Sequence, residues 1–147
     1  MTARGYTIIE MLIVMIVFGL LLSVAFVRMG PALEHARVSR AATVLVTDLR
    51  YAQMLAVRQR KPVAVVVNSS LKGYIIRERG SAVVQRQRFM GAGTDFLLDE
   101  FTATSSSVEL LPHGVAAATT TFTLGLAGFQ RQVRITRAGQ VRVVRAP

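Results

Sequence analysis

Residues Gly5–Val27 read GYTIIEMLIVMIVFGLLLSVAFV, and this stretch decides what kind of chain follows. From Met11 to Val27 there is no charge, and Tyr6–Ile9 extend the apolar run backwards across a lone acid, Glu10. At a rise of about 1.5 Å per residue, a helix from Tyr6 to Val27 spans about 33 Å, enough for a bilayer core of about 30 Å. An ordinary secretory signal peptide is the competing reading. It fits poorly, because only Met1–Gly5 precede the run and no small-x-small cleavage site follows it. The run is also longer than the usual apolar region of roughly 7–15 residues. Arg4 favours a cytoplasmic N-terminus, a bias that Arg28 just past the run reduces. A plain signal anchor satisfies these facts as well.

Glu10 separates the two. A carboxylate within an apolar span costs roughly 2.5–3.5 kcal/mol on insertion scales and is usually kept for a partner. Gly5-Tyr6-Thr7-Ile8-Ile9-Glu10 followed by an uncharged run resembles the type IV prepilin signature. That resemblance implies a prepilin peptidase cutting between Gly5 and Tyr6 on the cytoplasmic side, and methylation of the new Tyr6 amine. The Glu10 carboxylate of one subunit can then neutralise the Tyr6 amine of a neighbour, removing two charges from lipid and setting each subunit in register. Tyr6 stands where the family usually has Phe, and Ile8 where Leu is common. Neither change removes the amine or the acid.

Beyond the anchor, apolar or small residues at Val38, Ala41, Ala42, Leu45, Leu49, Ala52, Leu55 and Ala56 recur at steps of three and four. They predict one stripe of an amphipathic helix continuing the anchor, bent near Gly30-Pro31 and ending before Pro62. After Pro62 the period changes to two or to short β-branched runs. Strands are expected over 63–67, 73–76, 82–89, 108–111, 121–124, 132–136 and 140–144. Segments 91–107 and 112–120 read as loops, although Phe96, Leu97, Leu98 and Phe101 could supply a further strand. A sheet packed on the helical stripe buries both apolar faces. The expected fold class is therefore α+β, a long N-terminal helix packed on an antiparallel β-sheet domain. The divisions are a leader over 1–5, a transmembrane helix over 6–27, an amphipathic helix over 28–60 and a β domain over 61–147.

This layout also resembles the GspH/FimT family, the minor pseudopilins of type II secretion and minor pilins of type IV pili. The residues that carry it are Ser39-Arg40-Ala41, Asp48-Leu49-Arg50-Tyr51-Ala52-Gln53, the Arg58–Val67 passage, and Phe122, Gly128, Val133-Arg134-Ile135 and Gly139-Gln140-Val141-Arg142-Val143. The resemblance implies a structural filament subunit in the inner membrane, single-pass, with its C-terminal domain in the periplasm. Its partners would be other pilins or pseudopilins, the prepilin peptidase and membrane lipid. No enzyme activity is expected.

The chain is basic, with 18 Lys and Arg against 8 Asp and Glu and a net charge of +10. Hydrophobic residues make up 52% and mean hydropathy is +0.44, the excess lying near the start. Zero Cys excludes disulfides, thiolate chemistry and Cys-ligated metals, so a periplasmic domain must stand on its core alone. The tail from Arg131 to Pro147 holds Arg131, Arg134, Arg137, Arg142 and Arg145 and no acid. As two strands turning at Ala138-Gly139, it sets valines and isoleucine on one face and guanidinium groups on the other. An anionic ligand would relieve repulsion between like charges across the ladder, and Arg binds phosphate through its planar fork.

Some minor pilins of this family are proposed to capture DNA for uptake through a basic C-terminal element similar to Gly139-Gln140-Val141-Arg142, with Gln140 where a second arginine is often found. Arg134, Arg142 and Arg145 are thus the candidate DNA-binding residues, with duplex backbone as the ligand. The plainer and favoured reading is a solvated basic edge strand that deters sheet-to-sheet pairing.

No metal or cofactor is expected. His35 and His113 lack a second ligand at zinc spacing, and Asp95, Asp99 and Glu100 lack the spacing of a calcium loop. Ser105-Ser106-Ser107 has no Gly-x-Ser-x-Gly frame, and Gly91-Ala92-Gly93 lacks the remaining glycine of a dinucleotide loop.

Overall fold

The computed structural model describes residues 7–145, except for the side chains of 25–29. The expected leader, its cut after Gly5 and the methylated Tyr6 lie outside the described residues. Helix α1 (Ile8–Gln59) runs through Pro31, and the chain divides into two compact units, Met1–Leu33 and Glu34–Pro147.

In the first unit Thr7 caps the helix. Its Oγ1 accepts a hydrogen bond from the Glu10 N–H at 3.3 Å, and its carbonyl accepts the first helical bond, from the Met11 N–H. Glu10 then lies in the first turn, where a carboxylate complements the positive end of the helix dipole. From Ile8 to Val24 every residue is exposed, including Phe18, Leu20, Leu21 and Leu22. One helix cannot bury an apolar surface all round, so this surface requires lipid or neighbouring helices. Among the described residues no helix is long and apolar enough to cross a membrane. The uncharged run, however, continues to Val27, through side chains that lie outside the description.

In the second unit the stripe expected from the sequence is the buried one. Val38, Ala41, Ala42, Leu45, Leu49, Ala52 and Ala56 are buried, and Leu55 is half-buried. The helix ends at Gln59, ahead of Pro62, and eight strands follow among the described residues. They are β1 (Val63–Asn68), β2 (Gly73–Glu78), β3 (Val84–Phe89), β4 (Glu100–Ala103), β5 (Ser107–Leu110), β6 (Thr120–Leu126), β7 (Phe129–Ile135) and β8 (Val141–Arg145).

The α+β class is borne out, but the strands form two antiparallel sheets rather than one, in the orders β3-β2-β1-β5 and β4-β6-β7-β8. The segment read mainly as a loop contributes β4, which places Phe101 in the core opposite Leu124. β3 begins at Val84 rather than at Ala82. The helical stripe, Val65, Ile76, Leu110, Phe122, Leu124, Val133 and Ile135 form a single core cluster.

Candidate functional site

Polar residues on or beside the apolar stripe tie helix α1 to both sheets. Asp48 falls on the buried stripe, three residues after Leu45 and four before Ala52, and is itself buried. Its carboxylate accepts from Tyr74 Oη at 2.6 Å, Arg86 Nη1 at 2.6 Å and Arg88 Nε at 2.7 Å. Arg86 also lies over the Tyr51 ring, 4.1 Å from its centroid. One helical acid thus gathers β2 and β3.

Burial pushes the Asp48 pKa up. The hydrogen bonds from Arg88, Tyr74 and Arg86, with the Arg88 charge, outweigh it and hold the carboxyl below its ordinary value. Burial, then the bond to Asp48, raises the Tyr74 hydroxyl. A folded pKa below the unfolded one adds stability that is fully present above the unfolded value, near 4, and is lost as pH falls through the lower folded value.

Asp48→Ala leaves the Tyr74 hydroxyl buried without a partner. The two arginines, about a third exposed at 35% and 34%, can rehydrate. The expected loss is about 2–3 kcal/mol at neutral pH. Denaturant melts of wild type and variant should show this gap narrowing below about pH 4; a gap that is unchanged on acidification contradicts the charged-carboxylate account. In the sequence Asp48 stands only among the residues that carry the family resemblance, with no structural role assigned to it. An acid at apolar-stripe spacing is the signal that identifies it.

Little more than one turn further along the helix Gln53 Nε2 donates to the Gly139 carbonyl at 2.7 Å and to the Gly114 carbonyl at 3.3 Å. It clamps the turn after β7 to the loop before β6. Near the start of this unit the His35 ring stacks on Phe129 with centroids 3.9 Å apart. β7 is therefore held to the helix at both ends. Phe129, placed near the arginine cluster by the sequence, packs against His35 rather than standing free for a base.

Of the three candidate DNA-binding arginines, Arg134 and Arg142 stand directly opposite each other across the β7–β8 ladder, both exposed. Arg145 pairs with Arg131 in register, and strand alternation places that pair on the other face, with Val133 and Ile135. The sheet thus brings two of the three together and separates the third. β8 is an edge strand, as expected. Among the described residues the salt bridges are Lys61–Glu78, Arg79–Glu109 and those of Asp48, so none neutralises this cluster. No group of three or more His, Cys, Asp or Glu among the described residues could hold a metal.

Residues 41–139 match the family of the type II transport protein GspH, and residues 1–26 match the prokaryotic N-terminal methylation motif. The chain belongs to the GspH family. Its members are structural subunits rather than enzymes, so this is a minor pseudopilin of the type II secretion and type IV pilus kind. The GspH match opens on the buried stripe at Ala41 and closes at the clamped Gly139, enclosing Asp48, Gln53, Tyr74, Arg86 and Arg88. Arg142 and Arg145 fall outside it.

Two solved structures share the fold. The type IV minor pilin FimU of Pseudomonas aeruginosa is 24% identical, with a TM-score of 0.58 over 78% of this chain and 91% of that one. The minor pseudopilin EpsH of the Vibrio cholerae type 2 secretion system is 12% identical, with a TM-score of 0.58 over 74% and 97%. No curated protein matches the chain.

Proposed function

We propose that this GspH-family subunit is cut between Gly5 and Tyr6, methylated at the Tyr6 amine, and built into a short envelope filament through its N-terminal helix. The unprocessed chain sits in the inner membrane as a single span, N-terminus cytoplasmic and C-terminal domain periplasmic. Its partners are other pilins or pseudopilins and the prepilin peptidase. The observation that carries this reading is Glu10, a lone acid in an otherwise uncharged run, within a methylation motif and on a helix whose apolar side chains from Ile8 to Val24 are all exposed. Lipid alone could cover those side chains. It offers the acid no counter-charge, whereas a neighbour's amine does.

Intact-mass measurement of the native protein tests this. The expected first residue is Tyr6, one methyl group heavier, and Gly5→Ala should retain the leader. A mature chain beginning at any other residue removes the reading.

A second reading, DNA capture at a filament tip, is supported by the opposed pair Arg134 and Arg142 on an edge strand. Two guanidinium groups held side by side repel, and a phosphate between them relieves the repulsion. The full chain in neutral detergent should then bind duplex DNA with an affinity that falls steeply with salt. Arg142→Ala should lower the slope of log affinity against log salt by about 1. Binding that is absent or indifferent to salt leaves β8 as a solvated edge.

A further inference from the structure

We propose that a groove on the last turns of α1 is the docking site for an acid-flanked apolar segment of a different pilin-like subunit. This rests on the filament reading and names a contact within it, made by the compact unit rather than by the apolar N-terminal run.

Arg50, Met54, Val57 and Arg58 of the helix, with Gly114 and Gly139 opposite, line an open groove of about 510 Å³. The glycine wall is bare because the backbone there demands it. Gly139 has a φ of 80° and lies so close to the Gly114 carbonyl that no Cβ fits, and Gly114 itself has a φ of 77°. Met54 is 64% and Val57 50% exposed, so the floor is apolar surface left to solvent. A single exposed apolar side chain is ordinary on a protein surface. Here two lie together, flanked by two cations.

Arg50 and Arg58 are exposed, and among the described residues neither is in a salt bridge. Arg58 stands in the last turn of α1, where any cation complements the helix dipole. Arg50 lies more than two turns earlier, where that effect has faded. The strand register brings two acids to this end of the unit, Glu78 opposite Val63 and Glu109 opposite Ala64. Lys61 pairs with the first and Arg79 with the second. The charge of the groove is thus left for something outside the unit.

The occupant that matches carries carboxylates on both sides of an apolar side chain. Arg50 and Arg58 are separated by about 12 Å along the helix axis. An extended segment covers that distance in about four residues, which sets acids at i and i+4 around an apolar residue at i+2, all on one face. Nucleic acid would bring phosphates but nothing apolar for Met54 and Val57. A minor subunit meets other pilin-like chains in a filament rather than a run of its own copies, so the segment belongs to a different subunit. Complementary charge then selects which neighbour docks.

Met54 and Val57 are exposed, so the photo-reactive residue p-benzoylphenylalanine can replace either one without disturbing the core. Irradiated filaments carrying these full-length variants should give a cross-linked product in which mass spectrometry finds a peptide of a different pilin-like subunit, with carboxylates on both sides of the residue hit. Arg50→Asp with Arg58→Asp should lower the yield about fivefold, and exchanging the two acids of that peptide for lysine should restore it. A product containing DNA, a second copy of this chain or a peptide without flanking acids overturns the proposal, as does a yield indifferent to the charge reversals. Normal incorporation of both variants without any product also overturns it, while leaving the filament reading intact. Absence of the wild-type chain from filaments removes both.

Discussion

Glu10→Ala is expected to be cut and methylated normally yet to disappear from the assembled filament. In the proposed reading the peptidase acts at Gly5 and Tyr6, before the acid has a partner. Incorporation is the step at which an uncompensated carboxylate or amine would remain in a low-dielectric surround, at a cost of several kcal/mol per ion. A local role competes, because Thr7 and Glu10 have the spacing of a capping box and the Thr7 hydroxyl already accepts the Glu10 N–H. Glu10→Gln separates the two. Glutamine serves a capping box as well as glutamate does but cannot neutralise an amine. Under charge pairing both variants fail to assemble, and under capping the glutamine chain assembles. Immunoblots of sheared filaments against total membranes read the outcome, and normal incorporation of Glu10→Gln ends the charge-pairing account.

Gly139→Ala is expected to destabilise the compact unit by about 3 kcal/mol, combining left-handed strain with overpacking. On a unit of this size that lowers the melting temperature by roughly 10 °C. The backbone at Gly139 has a φ of 80°, and a Cβ there would collide with the Gly114 carbonyl oxygen while standing 3.1 Å from Gln53 Nε2. The turn would have to move away from the very groups that Gln53 clamps.

Gly128→Ala is the control. Its φ of 84° is similar, but a Cβ would meet nothing within 4 Å, so only backbone strain of about 1–2 kcal/mol applies. Strain alone is tolerated in this protein, where Arg60, Lys72, Leu97 and Ala127 also have positive φ. Equal melting of the two variants would refute the packing account. The glycine of the basic C-terminal element thus has a structural duty of its own, independent of any DNA bound by the arginines after it.

The residues alone showed the uncharged N-terminal run with its lone acid, the buried helical stripe, the approximate strand positions and the basic edge. Each is a local signal: an acid in an uncharged run, apolar steps of three and four, alternation of two. Only the tertiary structure decided that the strands divide into two sheets, because that depends on pairing between segments far apart in the chain.

The same holds for the arginines. Sequence spacing grouped Arg134, Arg142 and Arg145, but the β7–β8 register set Arg145 opposite Arg131 and off their face. Asp48 and Gln53 stood in plain sight as polar residues on or beside an apolar stripe. Their partners, Tyr74, Arg86 and Arg88 for one and the Gly114 and Gly139 carbonyls for the other, are brought within hydrogen-bonding distance only by folding. A side chain's period is written along the chain, whereas what it touches depends on how distant segments fold back on it.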